Sequence, residues 1–132
     1  KKQQLLRTIK ARLGKNSNIL FAYLYGSFLK RKDARDIDIA VYLKKHNGSF
    51  RACNELAAEL EKSTQYSATL DIYALNDAPI AFAFNVISTG KMLIDKHPDK
   101  RASWEAGILS RYQDFKPVLD FYDQRFLRAA NP

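Results

Sequence analysis

A mixed α/β (α+β) plan, a small mixed sheet flanked by helices, is what this sequence of 132 residues predicts. Three observations point to it. Short apolar runs of strand length alternate with stretches whose apolar residues recur at helical spacing. Glycine, proline and asparagine signals punctuate the chain between them. The length suits one domain over residues 1–132, and 46% hydrophobic residues suffice for one core.

Leu5, Leu6, Ile9 and Leu13 share one helical face and are followed by Gly14, which predicts a helix over about 2–13 with Gly14 near its C-cap. Asn16-Ser17-Asn18 is a turn. Ile19 to Tyr25 is apolar throughout, as in a buried strand ended by Gly26-Ser27. Ile37 to Leu43 is the second strand. Its alternation puts Asp36, Asp38, Ala40 and Tyr42 on one face and Ile37, Ile39, Val41 and Leu43 on the other. After the Asn47-Gly48 break, Phe50, Cys53, Leu56, Ala57 and Leu60 predict a helix over about 50–63. Leu70 to Leu75 is the third strand, with Asp71 and Tyr73 on one face. Asp77 is expected to cap a helix that includes Pro79 and runs to about Ser88, with Gly90 ending it. Lys91 to Asp95 is a short strand and His97-Pro98 a turn. From about Asp99, Trp104, Ile108, Tyr112 and Phe115 mark a last helix. Pro117 is expected to break or restart it, with Phe121, Tyr122 and Phe126 beyond. The aromatic stripe of this helix reads as core or as a surface facing a partner.

Composition excludes several classes. No apolar run approaches the roughly 18 residues of a membrane helix, and Lys1-Lys2-Gln3-Gln4 does not resemble a signal peptide. Cys53 is the only cysteine, so an internal disulfide and a cysteine-rich zinc site are both excluded. A reducing cytoplasm is the expected compartment. The net charge of +8 is uneven: residues 1–35 hold ten of the 22 Lys/Arg and one of the 14 Asp/Glu, a net +9, which leaves −1 for the rest. Such a flank attracts phosphates or an acidic partner. Lys1 to Lys15 reads equally as a solvated helix face. Asp33 reads as a cap or solvated loop residue, His46 and His97 as surface residues, and Cys53 as a buried, inert thiol.

One constellation carries chemistry. Tyr25-Gly26-Ser27 ends an apolar strand, Asp36-Ile37-Asp38 opens the next, and Asp71 lies in a third. Alternation puts Asp36 and Asp38 on one face, and pairing of the third strand beside them would bring three carboxylates together. That concentration of negative charge is costly without cations. Hard oxygen ligands suit Mg²⁺, and two such ions can clamp both oxygens of a phosphoryl displacement. Gly26 lets backbone approach a phosphate, Ser27 offers a hydroxyl, and Lys30, Arg31 and Lys32 could neutralise its charge. Taken singly, each feature has a bland reading: a solvated strand edge, a strand-end acid, a turn, a basic loop.

The run from Phe21 to Leu43, FAYLYGSFLKRKDARDIDIAVYL, resembles the signature of the DNA polymerase beta-like nucleotidyltransferases. In particular it resembles the minimal nucleotidyltransferase (MNT) branch, antitoxin-type partners of HEPN-domain proteins. Asp71 in Ala68-Thr69-Leu70-Asp71-Ile72-Tyr73 matches the family's third carboxylate. Val86 to Asp95 resembles the helix-end, glycine and short-strand element that follows, and Ser110 to Pro117 resembles the last helix. In two places the chain departs from the pattern. Eight residues separate Ser27 from Asp36 where about ten are usual, and Phe28 follows Ser27 where many members carry a base.

The resemblance implies a polymerase-beta-like fold and transfer of AMP from ATP to a hydroxyl, with release of pyrophosphate. It implies that Asp36, Asp38 and Asp71 are catalytic and hold two Mg²⁺ ions, and that Gly26, Ser27, Lys30 and Arg31 hold the nucleotide. The acceptor it implies is a tyrosine of a HEPN toxin in a toxin–antitoxin system. Nucleic acid and membrane are not expected as partners. The rivals are a nucleotidyltransferase acting on an antibiotic-like small molecule, for which an added helical domain is usual, and a binding antitoxin that works by contact alone.

Overall fold

The computed structural model describes residues 2–31 and 35–130. Lys32 and Asp33 of the basic loop lie outside the described residues, as do the side chains of Tyr122 and Phe126. Four strands and four long helices follow in the predicted order: α1 (Lys2–Lys15), β1 (Ile19–Tyr25), β2 (Asp36–Leu43), α2 (Ser49–Ser63), β3 (Thr69–Ala74), α3 (Ile80–Thr89), β4 (Lys91–Asp95) and α4 (Pro98–Ala130). A short 3₁₀ turn, Ser27–Leu29, follows β1. The sheet runs β3-β2-β1-β4. β1 is antiparallel to both β2 and β4, while β3 is parallel to β2 and reached through α2. A parallel partner needs such a crossover, which is why a helix stands between these two strands.

Strand alternation divides the core into two layers. Ile37, Ile39, Val41 and Leu43 face α1 and α2, meeting Ile9, Leu13, Leu56 and Leu60. Phe21, Tyr23 and Tyr25 face the other way, toward Val86 and Phe82 of α3 and Trp104 of α4. Fully burying each large apolar side chain contributes about 1.5–3 kcal/mol. Trp104 packs obliquely on Phe21, Tyr23 and Tyr42, with ring centroids 5.6–6.2 Å apart. α4 is tied down by a polar chain as well. Arg101 bridges Asp95 and Glu105 at 2.9 Å, and Glu105 accepts from the Tyr23 hydroxyl at 2.6 Å.

Several element ends differ from the sequence expectation. Gly14 stays helical and α1 runs on to Lys15, before the Asn16 turn. Asp77 does not cap α3: Pro79 occupies the cap position, and Asp77 pairs with His46 at 3.2 Å. Pro79 sets an extended approach to the helix without a side-chain acceptor. α4 begins at Pro98, where the Lys100 N–H donates to the His97 ring nitrogen at 3.3 Å. Histidine thus caps this helix. Pro117 does not break α4. It removes one backbone donor, and the Gln113 carbonyl left without it belongs to an exposed residue that water can serve. The aromatic stripe of α4 is split: Tyr112 stacks on Phe84 of α3 at 3.7 Å, whereas Phe115 is exposed.

Two asparagines close the C-terminal end of β2. Asn18 exchanges two hydrogen bonds with the Lys45 backbone, at 2.7 and 3.0 Å. Asn76 does the same with Leu43, accepting from its N–H at 3.0 Å and donating to its carbonyl at 2.8 Å. Asn76 therefore continues the β2–β3 ladder one rung past β3 with a side chain. Asn76→Ala should lower stability by about 1–3 kcal/mol, because it strands both the N–H and the carbonyl of Leu43. Asn76→Asp should recover part of this, since it keeps the acceptor. Urea unfolding of the three chains tests both statements.

Candidate active site

Three strands meet at the candidate site. The β1–β2 ladder pairs Tyr25 with Asp38, and the β2–β3 ladder pairs Asp38 with Asp71. Partners in a ladder project to the same face, and neighbouring strands lie roughly 4.8 Å apart. Asp38 therefore has Tyr25 on one flank and Asp71 on the other, with Asp36 two residues back on its own strand. Asp36 and Asp71 are exposed and Asp38 is half-buried. Burial, then the charge of Asp71, then that of Asp36, hold the Asp38 carboxyl above its ordinary pKa. Burial and the charge of Asp38 likewise raise the Tyr25 phenol, so it remains a neutral donor.

The glycine of the turn answers to the same carboxylate. Gly26 has φ 83° and ψ −162°, a conformation essentially confined to glycine. A Cβ there would overlap Oδ2 of Asp38. The chain can leave β1 beside Asp38 only without a side chain.

Ser27 opens the 3₁₀ turn and is exposed. The N–H groups of Lys30 and Arg31 both return to its carbonyl, at 3.0 and 2.9 Å, so both basic residues follow the serine in one tight, exposed turn. Phe28, where many members of the resembled family carry a base, is 3% exposed and packs into the layer beneath α1 and α2. Its ring carries the ammonium of Lys2 at 4.4 Å from the centroid. Lys2 also donates to the Phe28 and Arg31 carbonyls. The first turn of α1 thus braces the loop from behind.

The backbone brings Asp36, Asp38 and Asp71 together, but their side chains do not close into a cage. Among the described residues, no group of three His, Cys, Asp or Glu is close enough to hold a metal ion. The donor set itself suits a hard divalent cation: three carboxylates on adjacent strands, one of them already resisting ionisation because of its burial and of the other two. Sequence reasoning placed Tyr25 at the strand end and Tyr73 on the face of Asp71 without giving either a role, and it missed Phe82. Tyr25 and Phe82 meet edge to face at 5.5 Å, and Phe82 meets Tyr73 at 6.0 Å, forming an aromatic wall beside the acids. The alternation of β1 and β3 could have assigned the two tyrosines to that wall. Nothing local marked Phe82.

Comparison with known proteins places this geometry. Residues 7–99 match the family described as polymerase beta, nucleotidyltransferase. None of the curated proteins matches the chain. Among solved structures, that of a tri-AMPylated HEPN toxin of Shewanella oneidensis in complex with an MNT antitoxin contains a similar chain. It aligns with TM-score 0.70 and 23% identity, over 92% of this chain and 98% of that one. The toxin–antitoxin pair MntA-HepT gives TM-score 0.67 and 22% identity, over 91% and 97%. A toxin–antitoxin structure with AMP-PNP gives 0.65 and 21%, over 92% and 97%. At such identities the likeness is one of fold. The family match, in contrast, spans more than half of the residues, with the Gly26-Ser27 turn and all three carboxylates inside it, and the chain belongs to the polymerase beta nucleotidyltransferase family.

Proposed function

We propose that this protein is a Mg²⁺-dependent nucleotidyltransferase of the MNT type that moves AMP from ATP to a tyrosine hydroxyl of a HEPN-domain toxin and so acts as its antitoxin. One observation carries the reading: Asp38 and Asp71 stand opposite each other in register, with Asp36 alongside, next to a turn that only glycine can make. A stable fold has no need of that repulsion, whereas a divalent cation and a triphosphate give it a purpose. The fold shared with the MNT chain found beside an AMPylated HEPN toxin supports the choice of nucleotide and acceptor.

In this reading Gly26 and Ser27 receive the triphosphate, and Lys30 and Arg31 neutralise it. Asp36 and Asp38 would hold both cations, and Asp71 would help hold one of them. Bound Mg²⁺ supplies charge neutralisation and lowers the pKa of the acceptor hydroxyl. Asp71 orients that hydroxyl and helps take its proton. The hydroxyl oxygen bonds to the α-phosphorus, the bond from that phosphorus to the β-phosphate oxygen breaks, and pyrophosphate leaves with the electron pair. Incubation with labelled ATP, Mg²⁺ and the HEPN partner is the direct test. Label on one tyrosine of the partner, lost with Asp71→Ala, is expected. Label only on small molecules points to the antibiotic-type activity, and neutralisation without label to a contact-only antitoxin.

Asp38→Asn should raise the Tm of the metal-free protein by a few degrees while removing Mg²⁺-dependent ATP binding. Calorimetry with and without Mg²⁺ reads both, and a lowered Tm counts against strain at Asp38. Gly26→Ala should cost about 1–3 kcal/mol from its backbone conformation alone and should displace the Asp38 carboxylate. Denaturant unfolding and ATP titration of that variant should therefore fail together. Lys30→Ala with Arg31→Ala should raise KM for ATP with a smaller change in kcat, since phosphate contacts made equally before and during reaction are lost as binding. The effect should shrink at high salt; steady-state kinetics at two ionic strengths decides it.

A further inference from the structure

We infer that the free edge of β3 is the acceptor's docking groove: a protein segment in extended conformation lies along it as an added strand and presents its hydroxyl past Asp71. This rests on the nucleotidyl-transfer reading and specifies the form of substrate it takes. A cleft of about 550 Å³ follows that edge, with Phe50 and Cys53 of α2 on one wall and Tyr73, Pro79 and Phe82 on the other. Asp71 lies in its lining, so the cleft is continuous with the acids.

The backbone there is built to pair. The Thr69 and Leu75 N–H groups donate toward β2, to the carbonyls of Arg35 and Val41. Alternation then turns the N–H and C=O of Leu70, Ile72 and Ala74 outward. Glu61 takes the Leu70 N–H at 2.9 Å, which leaves the Ile72 and Ala74 groups facing the cleft. An edge of this kind accepts another strand, with side-chain pockets adding selectivity. Phe50 is 81% exposed and Tyr73 52% exposed on either side of it, an apolar surface suited to alternate side chains of an extended segment.

Geometry and charge choose the acceptor over the nucleotide. The strand order places Gly26 on one flank of Asp38 and Asp71 on the other. In-line displacement requires the attacking and leaving oxygens on opposite sides of the phosphorus. With the pyrophosphate at the Gly26 turn, the hydroxyl arrives over β3. The charged residues lining the cleft, Asp71 and Asp77, are both acidic, which repels a nucleotide and favours a segment with a basic residue near its hydroxyl.

The test uses the whole chain and a blocked nine-residue peptide of alternating valine and threonine around a central tyrosine, with one flanking arginine. A second peptide carries proline at alternate positions. Without nucleotide, millimolar first peptide should slow amide exchange at Ile72 and Ala74 by about tenfold. The proline peptide should not, and Phe50→Ala should weaken the effect several-fold. Unchanged exchange, protection elsewhere, or equal protection by the proline peptide overturns the proposal. Labelled ATP and Mg²⁺ are then added. Protection at β3 with no transfer either to the peptide or to the HEPN partner keeps the groove and removes the transferase reading. Transfer to the peptide's tyrosine without protection does the reverse.

Discussion

The arrangement turns on the direct opposition of Asp38 and Asp71 across parallel strands. Most sheets avoid like charges in register, because each raises the cost of ionising the other. Here burial of Asp38 and a third acid, Asp36, add to that cost. The neighbouring features make sense as consequences. The turn after β1 has to be glycine because the Asp38 carboxylate fills the place of a side chain. β2 keeps its opposite face wholly apolar, with Ile37, Ile39, Val41 and Leu43 anchored on α1 and α2, so the strained face rests on a rigid one. Tyr25 offers the acids a neutral neighbour.

Around that point the molecule is asymmetric in a useful way. Cations gather on the β1 side, at Lys30 and Arg31, and acids on the β3 side, at Asp71 and Asp77. In the proposed reaction, this asymmetry would draw an anionic leaving group and an incoming nucleophile to different flanks. α4 serves another end: its first half is fixed to the sheet by Trp104 and by the Asp95–Arg101–Glu105–Tyr23 chain. At 1.5 Å per residue its 33 residues reach about 50 Å, and Phe115, Val118 and Phe121 are exposed on the later part.

Much of the fold was legible in the sequence because its strands are short and strongly patterned. β1 and β4 have the bounds that composition suggests, and β2 and β3 begin one residue earlier than expected. The face of Asp36 and Asp38 followed from alternation alone. What stayed hidden depends on partners distant in the chain. No local signal tells that Asp38 meets Asp71 rather than Thr69 or Tyr73, since a parallel register is set by how α2 packs. Asp77 looked like a cap because aspartate often is one, yet Pro79 already fixes the entry to α3 and His46 is near enough to claim the acid. Asn76 and His97 took roles that turn residues commonly conceal, as a ladder rung and a helix cap. Pro117 failed as a stop signal because the helix on each side of it is complete.

Phe28 has the widest reach of the features described. By sinking into the layer under α1, it fastens the Ser27 turn to the far side of the sheet, and Lys2 fastens that turn to the first residues of α1. In the proposed reading, nucleotide capture and the folding of the amino-terminal helix thereby become thermodynamically linked. A ligand seated on the turn protects α1 from fraying, in proportion to the logarithm of its concentration over its dissociation constant. Conversely, anything that peels α1 away frees the Ser27 turn from the Lys2 and Phe28 contacts that hold it. The first turn of α1 is thus coupled to the Ser27 turn across the sheet.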